Sequence, residues 1–170
     1  SSCLVREYRE YERFSTAVVN AALTPLMQRD LASLAERLGA TPLELLQSSG
    51  GKLPAGRAAA EPVRVLLSGP AGGVVGASRA AAQAGWTRLL SLDMGGTSTD
   101  VAFLDLDPRG ESVFRERTIK VGGHPLAVPA LDLHTIGCGG GSLVSVDSGG
   151  ALHVGPQSAG ANPGPVCYGR

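Results

Sequence analysis

The sequence predicts an α/β fold, strands interleaved with helices, on three observations. Residues Leu89 to Asp107, LLSLDMGGTSTDVAFLDLD, set two apolar runs on either side of a glycine pair and a group of hydroxyls, the pattern of two strands joined by a tight turn. Met27, Leu31, Leu34, Ala35 and Leu38 recur at intervals of three and four, which is helical spacing. The chain holds 24 glycines, clustered between short apolar runs, which is loop chemistry inside a folded domain.

At 170 residues the chain can build one core or part of a larger one. Its 15 basic and 15 acidic residues balance and form no basic cluster, so neither nucleic acid nor a membrane surface is an expected partner. No apolar run approaches the ~18 residues of a transmembrane helix, and Arg6, Glu7, Arg9 and Glu10 rule out a signal peptide at the start. Cys3, Cys138 and Cys167 are odd in number and lack CxxC spacing, which disfavours a disulfide framework or a zinc site. A soluble, cytoplasmic protein is expected. The absence of a starting Met and the Gly/Pro-rich end predict a segment of a longer protein.

In chain order, Val5 to Ala22 predicts an amphipathic helix with Phe14, Val18, Val19 and Leu23 on its apolar side and Arg9, Glu10 and Arg13 on a solvated one. Asn20 can cap this helix or contact a neighbouring domain. Pro25 is predicted to open a second helix that stops at Gly39, its apolar stripe forming core. Leu43 and Leu45 alternate with Glu44 as in a strand, although Thr41-Pro42 also suits a helix start. Ser48 to Gly51 reads as a loop, Lys52 to Glu61 as a mobile connection, and Val63 to Leu67 as a short buried strand.

A helix is predicted from about Ala71 to Ala84. Gly72, Gly73 and Gly76 each cost it ~1 kcal/mol against alanine, so a backbone or ligand must come close. After the strand pair, Asp105 to Gly110 reads as a turn and Ser112 to Ile119 as an edge strand, followed by a loop from Val121 to Pro129 with His124 facing solvent. Ser142 to Val146 and Ala151 to Val154 predict a hairpin with Asp147 to Gly150 at its tip, His153 being structural.

Two stretches carry chemistry. In the first, Gly95 and Gly96 allow φ > 0 and let amides approach an anion without an intervening Cβ. Thr97, Ser98 and Thr99 add hydroxyls. Asp93 and Asp100, one at the end of each strand, can hold a divalent cation on a polyphosphate; without that cation, like charges would repel. Gly-Gly alone is more often ordinary hairpin chemistry, and the hydroxyls bracketed by two acids bring the two readings level. In the second stretch, Asp132 and His134 stand two apart and share a face in an extended chain. Gly139, Gly140 and Gly141 then predict a nest of amides closed by Ser142. Cys138 reads as packing, since no base lies nearby in sequence.

DMGGTSTD resembles the second phosphate loop of the actin, sugar kinase and heat-shock chaperone superfamily, and more narrowly that of the hydantoinase A and 5-oxoprolinase family. REYERFSTAVVNA, LSGPAGGVVGA, LDLHTIGCGGGSL and VGPQSAGANPGPVCYGR are similar to other signatures of that family, in its order and over nearly the whole chain. The departures are Phe14 for Thr, Cys138 for Ala, Gln157 for Glu and Asn162 for Asp; the last two remove negative charge.

The resemblance implies part of an actin-like, ribonuclease H-like domain, a mixed sheet flanked by helices, with residues 1–61 as a helical and connecting part and 62–170 as the phosphate-loop sheet. It implies that the small-residue helix connects lobes as a hinge. The implied activity is ATP-dependent opening of a cyclic amide. Gly95 to Thr99 and Gly139 to Ser142 would contact ATP, Asp93 and Asp100 would hold Mg²⁺ (Mn²⁺ or K⁺ as alternatives), and Asp93, Asp132 and His134 would act in catalysis. The implied partner is a hydantoinase B type subunit. Two other readings stay open: the A-type subunit of an ATP-dependent ketone carboxylase, or a non-catalytic nucleotide-binding or structural segment. The family's first phosphate loop, DVGGTFTD-like, is absent, so the isolated 170 residues are expected to hold half a cleft and to turn over negligible ATP.

Overall fold

The structure, a computed structural model, describes residues 2–107, 117–160, 162, 164, 165 and 169. Cys167, most of the predicted edge strand before Arg117 and part of the tail lie outside the described residues.

The first helix, α1, runs unbroken from Glu10 to Leu38 with Pro25 inside it, so the predicted break does not occur. An interior proline costs a helix bond, but tertiary contacts hold α1 on the N-terminal side of Pro25. Thr16 is fully buried and accepts a bond from the Ala127 amide (2.9 Å). Asn20 donates to Ala60 O (3.0 Å) and accepts from Val63 N (3.3 Å), so it clamps α1 to the segment that follows. Of the predicted apolar stripe only Leu31 is buried; Phe14, Val18, Leu34 and Leu38 are exposed. Gly39 ends the helix at φ 61, as expected.

β1 (Glu44–Leu46) and β2 (Lys52–Pro54) form a hairpin, and α2 (Ala55–Ala60) follows. The expected mobile connection is therefore ordered. Its Ala-rich run favours helix, and Ala58 is buried against Leu31, Leu53 and Val65. Pro62–Val65 is a 3-10 helix, not the predicted strand. Val63 and Val65 are buried as expected, but Val63 N is taken by Asn20 and Arg64 O by Ser48, so no partner strand is needed.

α3 spans Ser68–Gln83. β3 (Arg88–Met94), β4 (Thr99–Asp105) and β7 (His134–Ile136) form an antiparallel sheet in the order β3-β4-β7. β5 (Arg117–Val121) pairs with β6 (His124–Ala130), so the predicted loop there is half of a hairpin turning at Gly122 and Gly123. β8 (Ser142–Val146) pairs with β9 (Leu152–Ser158). Helices and sheets are both present, yet the described strands make four small antiparallel sheets and no single mixed one. Each described sheet is built from strands joined by short turns, apart from β7, and parallel pairing would need a long crossover.

α3 covers one face of the central sheet, where Ala71 and Val74 pack on Ala102, Leu104 and Leu131. The opposite face is uncovered: Leu90, Leu92 and Phe103 are about two-thirds exposed, at 65%, 64% and 66%. Ser48 joins the parts. Its buried hydroxyl accepts from Leu67 N (2.9 Å) just before α3, its amide bonds Arg64 O, and its carbonyl accepts from Leu131 N.

Candidate functional site

Strand register builds the site. Asp93 stands opposite Asp100, and Asp100 opposite Thr135. Residues paired across a sheet point to the same side, so these three side chains form a row, on the face that α3 covers. Thr135 Oγ1 donates to Asp100 Oδ1 at 2.5 Å and orients that carboxylate. Gly73 of α3 lies so close that a Cβ there would meet Asp93 Oδ2 at 3.3 Å. Asp93, Asp100 and Gly73 line a cavity of about 350 Å³ with Ser91 and Pro70. A second cavity, of about 280 Å³, shares Asp100 and is walled by Asp132, Thr118, Lys120 and Thr135.

At the turn, Gly95 N donates to Ser98 O (2.9 Å). Among the described residues, the amides of Gly96, Thr97 and Ser98 and the hydroxyls of Thr97 and Ser98 make no hydrogen bond. Gly96 and Thr97 are exposed, so donors stand uncommitted beside the acids. Neither Gly95 nor Gly96 adopts φ > 0, contrary to expectation. Thr99 is buried and its hydroxyl donates to Cys138 O (2.6 Å), so it is spent on structure rather than offered to a ligand.

The second glycine stretch is not the open nest that its sequence predicts. Gly139 N donates to Ser142 Oγ, Gly140 N to Gly95 O (2.9 Å), Gly141 N to Gly96 O (2.6 Å) and Ser142 N to Gly139 O. All four amides are committed. The stretch braces the first turn instead, and here glycine is obligatory: a Cβ on Gly139 would sit 2.6 Å from Gly95 O.

Asp132 and His134 do not share a face. The extended geometry begins only at His134. Thr135 bonds Asp100, so its neighbour His134, opposite Val101, points to the other side of the sheet. The expected acid–imidazole unit beside the turn is therefore not formed. His153 is structural as read: its Nε2 lies 2.8 Å from Asp147 Oδ2 at the ribbon tip. Thr135 and Lys120 line the same region but escape sequence reasoning, whereas Gly73 is marked by the sequence as a point of close approach and meets Asp93 there. Thr135 carries no sequence signal of its own, since its place opposite Asp100 follows only from the strand register.

No three His, Cys, Asp or Glu side chains converge among the described residues. Two carboxylates without a third protein ligand suit a cation that keeps its waters and shares phosphate oxygens, as magnesium does. Like charges directly opposite on a sheet are unfavourable, and neither acid has an ion pair to a base among the described residues. The donor set therefore fits a metal-bound polyphosphate. No helix of the described residues is long and apolar enough to cross a membrane.

Residues 13–170 match the family model described as Hydantoinase/oxoprolinase. The chain is 40% identical to the caprolactamase subunit alpha of Pseudomonas jessenii over 96% of its length and 24% of that protein. A solved structure of the ATP-dependent caprolactamase of that organism superposes with TM-score 0.71 at 37% identity, over 98% of this chain and 24% of that one. It is 39% identical to 5-oxoprolinase 1 of Arabidopsis thaliana over 99% of its length and 13% of that protein. The nucleotide-free structure of acetone carboxylase, from a study of ATP-dependent acetone carboxylation, superposes with TM-score 0.73 at 25% identity, over 94% of this chain and 22% of that one. The chain thus spans a quarter or less of the length of these relatives.

Proposed function

This chain belongs to the hydantoinase/oxoprolinase family, and from that premise we propose that it supplies one half of an actin-like nucleotide site at which ATP is cleaved to open a cyclic amide. The observation that carries this reading is the facing pair Asp93 and Asp100 beside the uncommitted amides of Gly96, Thr97 and Ser98. Asp93 and Asp100 would hold Mg²⁺, and the turn amides and the Thr97 and Ser98 hydroxyls would donate to phosphate oxygens. A cation held there would supply positive charge to offset the negative charge that spreads over the transferred phosphoryl group. Thr135 holds Asp100 in one orientation, so little rearrangement accompanies metal binding.

A cyclic amide resists water through resonance, and transfer of the γ-phosphoryl group to its carbonyl oxygen makes that oxygen a better leaving group. The chain's part is to keep the two reactants in line. A cytoplasmic setting and a B-type partner subunit belong to the same reading, the latter supported by the subunit status of the caprolactamase relative. A second reading, the A-type subunit of an ATP-dependent ketone carboxylase, is favoured by the superposition on acetone carboxylase.

The test is Asp93→Asn and Asp100→Asn in the full-length protein, with ATP consumption assayed in the presence of hydantoin, 5-oxoproline and a ketone. Each variant should lose about 10²-fold or more in turnover, the usual cost of removing an electrostatic stabiliser. Unchanged turnover would remove the phosphate-loop assignment. Ketone-dependent consumption without amide-dependent consumption would select the carboxylase reading.

A further inference from the structure

Asp100 is the middle member of the row it forms with Asp93 and Thr135, because β4 lies between β3 and β7. Its two carboxylate oxygens are not equivalent. Oδ1 accepts from the Thr135 hydroxyl at 2.5 Å, and Oδ2 makes no hydrogen bond among the described residues. The tether comes from the β7 side, so it draws Oδ1 away from Asp93 and leaves a single oxygen of Asp100 uncommitted.

That inequality bears on which cation the pair can take. Mg²⁺ demands a near-octahedral shell, keeps several waters and takes one oxygen from each of one or two carboxylates, whereas Ca²⁺ takes about six to eight oxygens and commonly binds a carboxylate through both. A carboxylate with one oxygen held in a hydrogen bond suits the first ion and is handicapped for the second. Asp93 has little room to compensate. The backbone of α3 passes so close that a Cβ on Gly73 would stand 3.3 Å from Asp93 Oδ2, which limits how far that carboxylate can turn both oxygens to one ion.

Given the phosphate-loop reading of Asp93 and Asp100, on which this depends, we propose that Thr135 sets cation selectivity at the pair: by occupying Oδ1 it confines Asp100 to one-oxygen coordination and favours Mg²⁺ over Ca²⁺. Thr135 acts through Asp100, so it is a positioning residue, of the kind that orients a metal ligand from behind.

The test uses the full-length protein with two variants. Thr135→Val keeps the β-branched shape that suits a strand and loses the hydroxyl; Thr135→Ser keeps the hydroxyl. Calorimetry measures the Kd of a non-hydrolysable ATP analogue in excess Mg²⁺ and again in excess Ca²⁺, and the ratio of the two is the readout. Thr135→Val should shrink the wild-type preference for Mg²⁺ about tenfold or more, the usual scale for removing a partner behind a metal ligand. Thr135→Ser should keep most of that preference. A merely structural Thr135 would weaken binding with both cations alike and leave the ratio unchanged. That result, a wild-type protein with no preference for Mg²⁺, or a serine variant that behaves like the valine one would each overturn the proposal. Asp93→Asn tells two failures apart. If it binds the analogue with Mg²⁺ as tightly as wild type, the phosphate-loop reading falls and the proposal with it; if it loses affinity while Thr135→Val keeps the wild-type ratio, only the role of Thr135 falls.

Discussion

Replacing Gly139 by alanine is expected to force the two glycine stretches apart. The added Cβ would lie 2.6 Å from Gly95 O and 2.9 Å from both the carbonyl carbon and the oxygen of Gly96, all backbone atoms that cannot swing aside. Raising 2.6 Å to an ordinary contact of 3.4 Å requires a separation of about 0.8 Å. The bonds Gly140 N to Gly95 O, at 2.9 Å, and Gly141 N to Gly96 O, at 2.6 Å, are then stretched toward or past their useful range. Losing both at about 0.5–1.5 kcal/mol each, with residual overpacking of about 1 kcal/mol or more, destabilises the protein by about 2–4 kcal/mol. Gly140→Ala is the matched control, because its Cβ would meet Gly95 O at an acceptable 3.8 Å. Urea denaturation of wild type and both variants measures the difference. Equal midpoints for Gly139→Ala and Gly140→Ala would refute the claim that the contact is backbone on backbone.

Two further outcomes follow from the packing. Ser48→Ala removes the buried acceptor of Leu67 N and should cost about 1–3 kcal/mol in the same denaturation assay; a negligible change would mean that the amide finds another partner. Burial raises the Glu61 carboxyl, but the hydrogen bond and charge of Arg64, and then Arg57, more than offset it and leave it below its ordinary range. A carboxyl depressed on folding contributes stability that is fully present above its unfolded pKa and is lost as pH falls through the folded value. Stability should therefore decline below the ordinary glutamate range, and Glu61→Gln should flatten that acid limb in pH-dependent thermal melts; an unaltered limb would place the effect elsewhere.

The strand pair around Asp93 and Asp100 was legible because its apolar runs flank a turn symmetrically, which also sets the two acids opposite each other. Pro25 misled because local propensity places a break where Thr16 and Asn20, through contacts about 40 or more residues away in sequence, hold the helix in place. HPLAVPA reads as loop because of its two prolines, yet Leu126, Val128 and Ala130 alternate inward. Prolines are tolerated there because, among the described residues, β6 pairs with β5 alone, and Ala127 N turns to Thr16 instead. The glycines from 139 to 141 carried a correct signal for close backbone approach, but sequence alone does not say whether the visitor is a ligand or the chain itself. Here it is the chain.

The adjacent glycines of α3 have a mechanical consequence. A side chain on Gly72 would press on Leu46 Cδ2 at 3.3 Å, and one on Gly73 on Asp93 Oδ2, also at 3.3 Å. The helix is thus wedged, bare backbone on either flank, between the β1–β2 hairpin and an acid of the central sheet. A methyl group on either flank would ask Leu46 or Asp93 to give way by a few tenths of an ångström, so the two glycines let the hairpin and the acid both approach the helix axis.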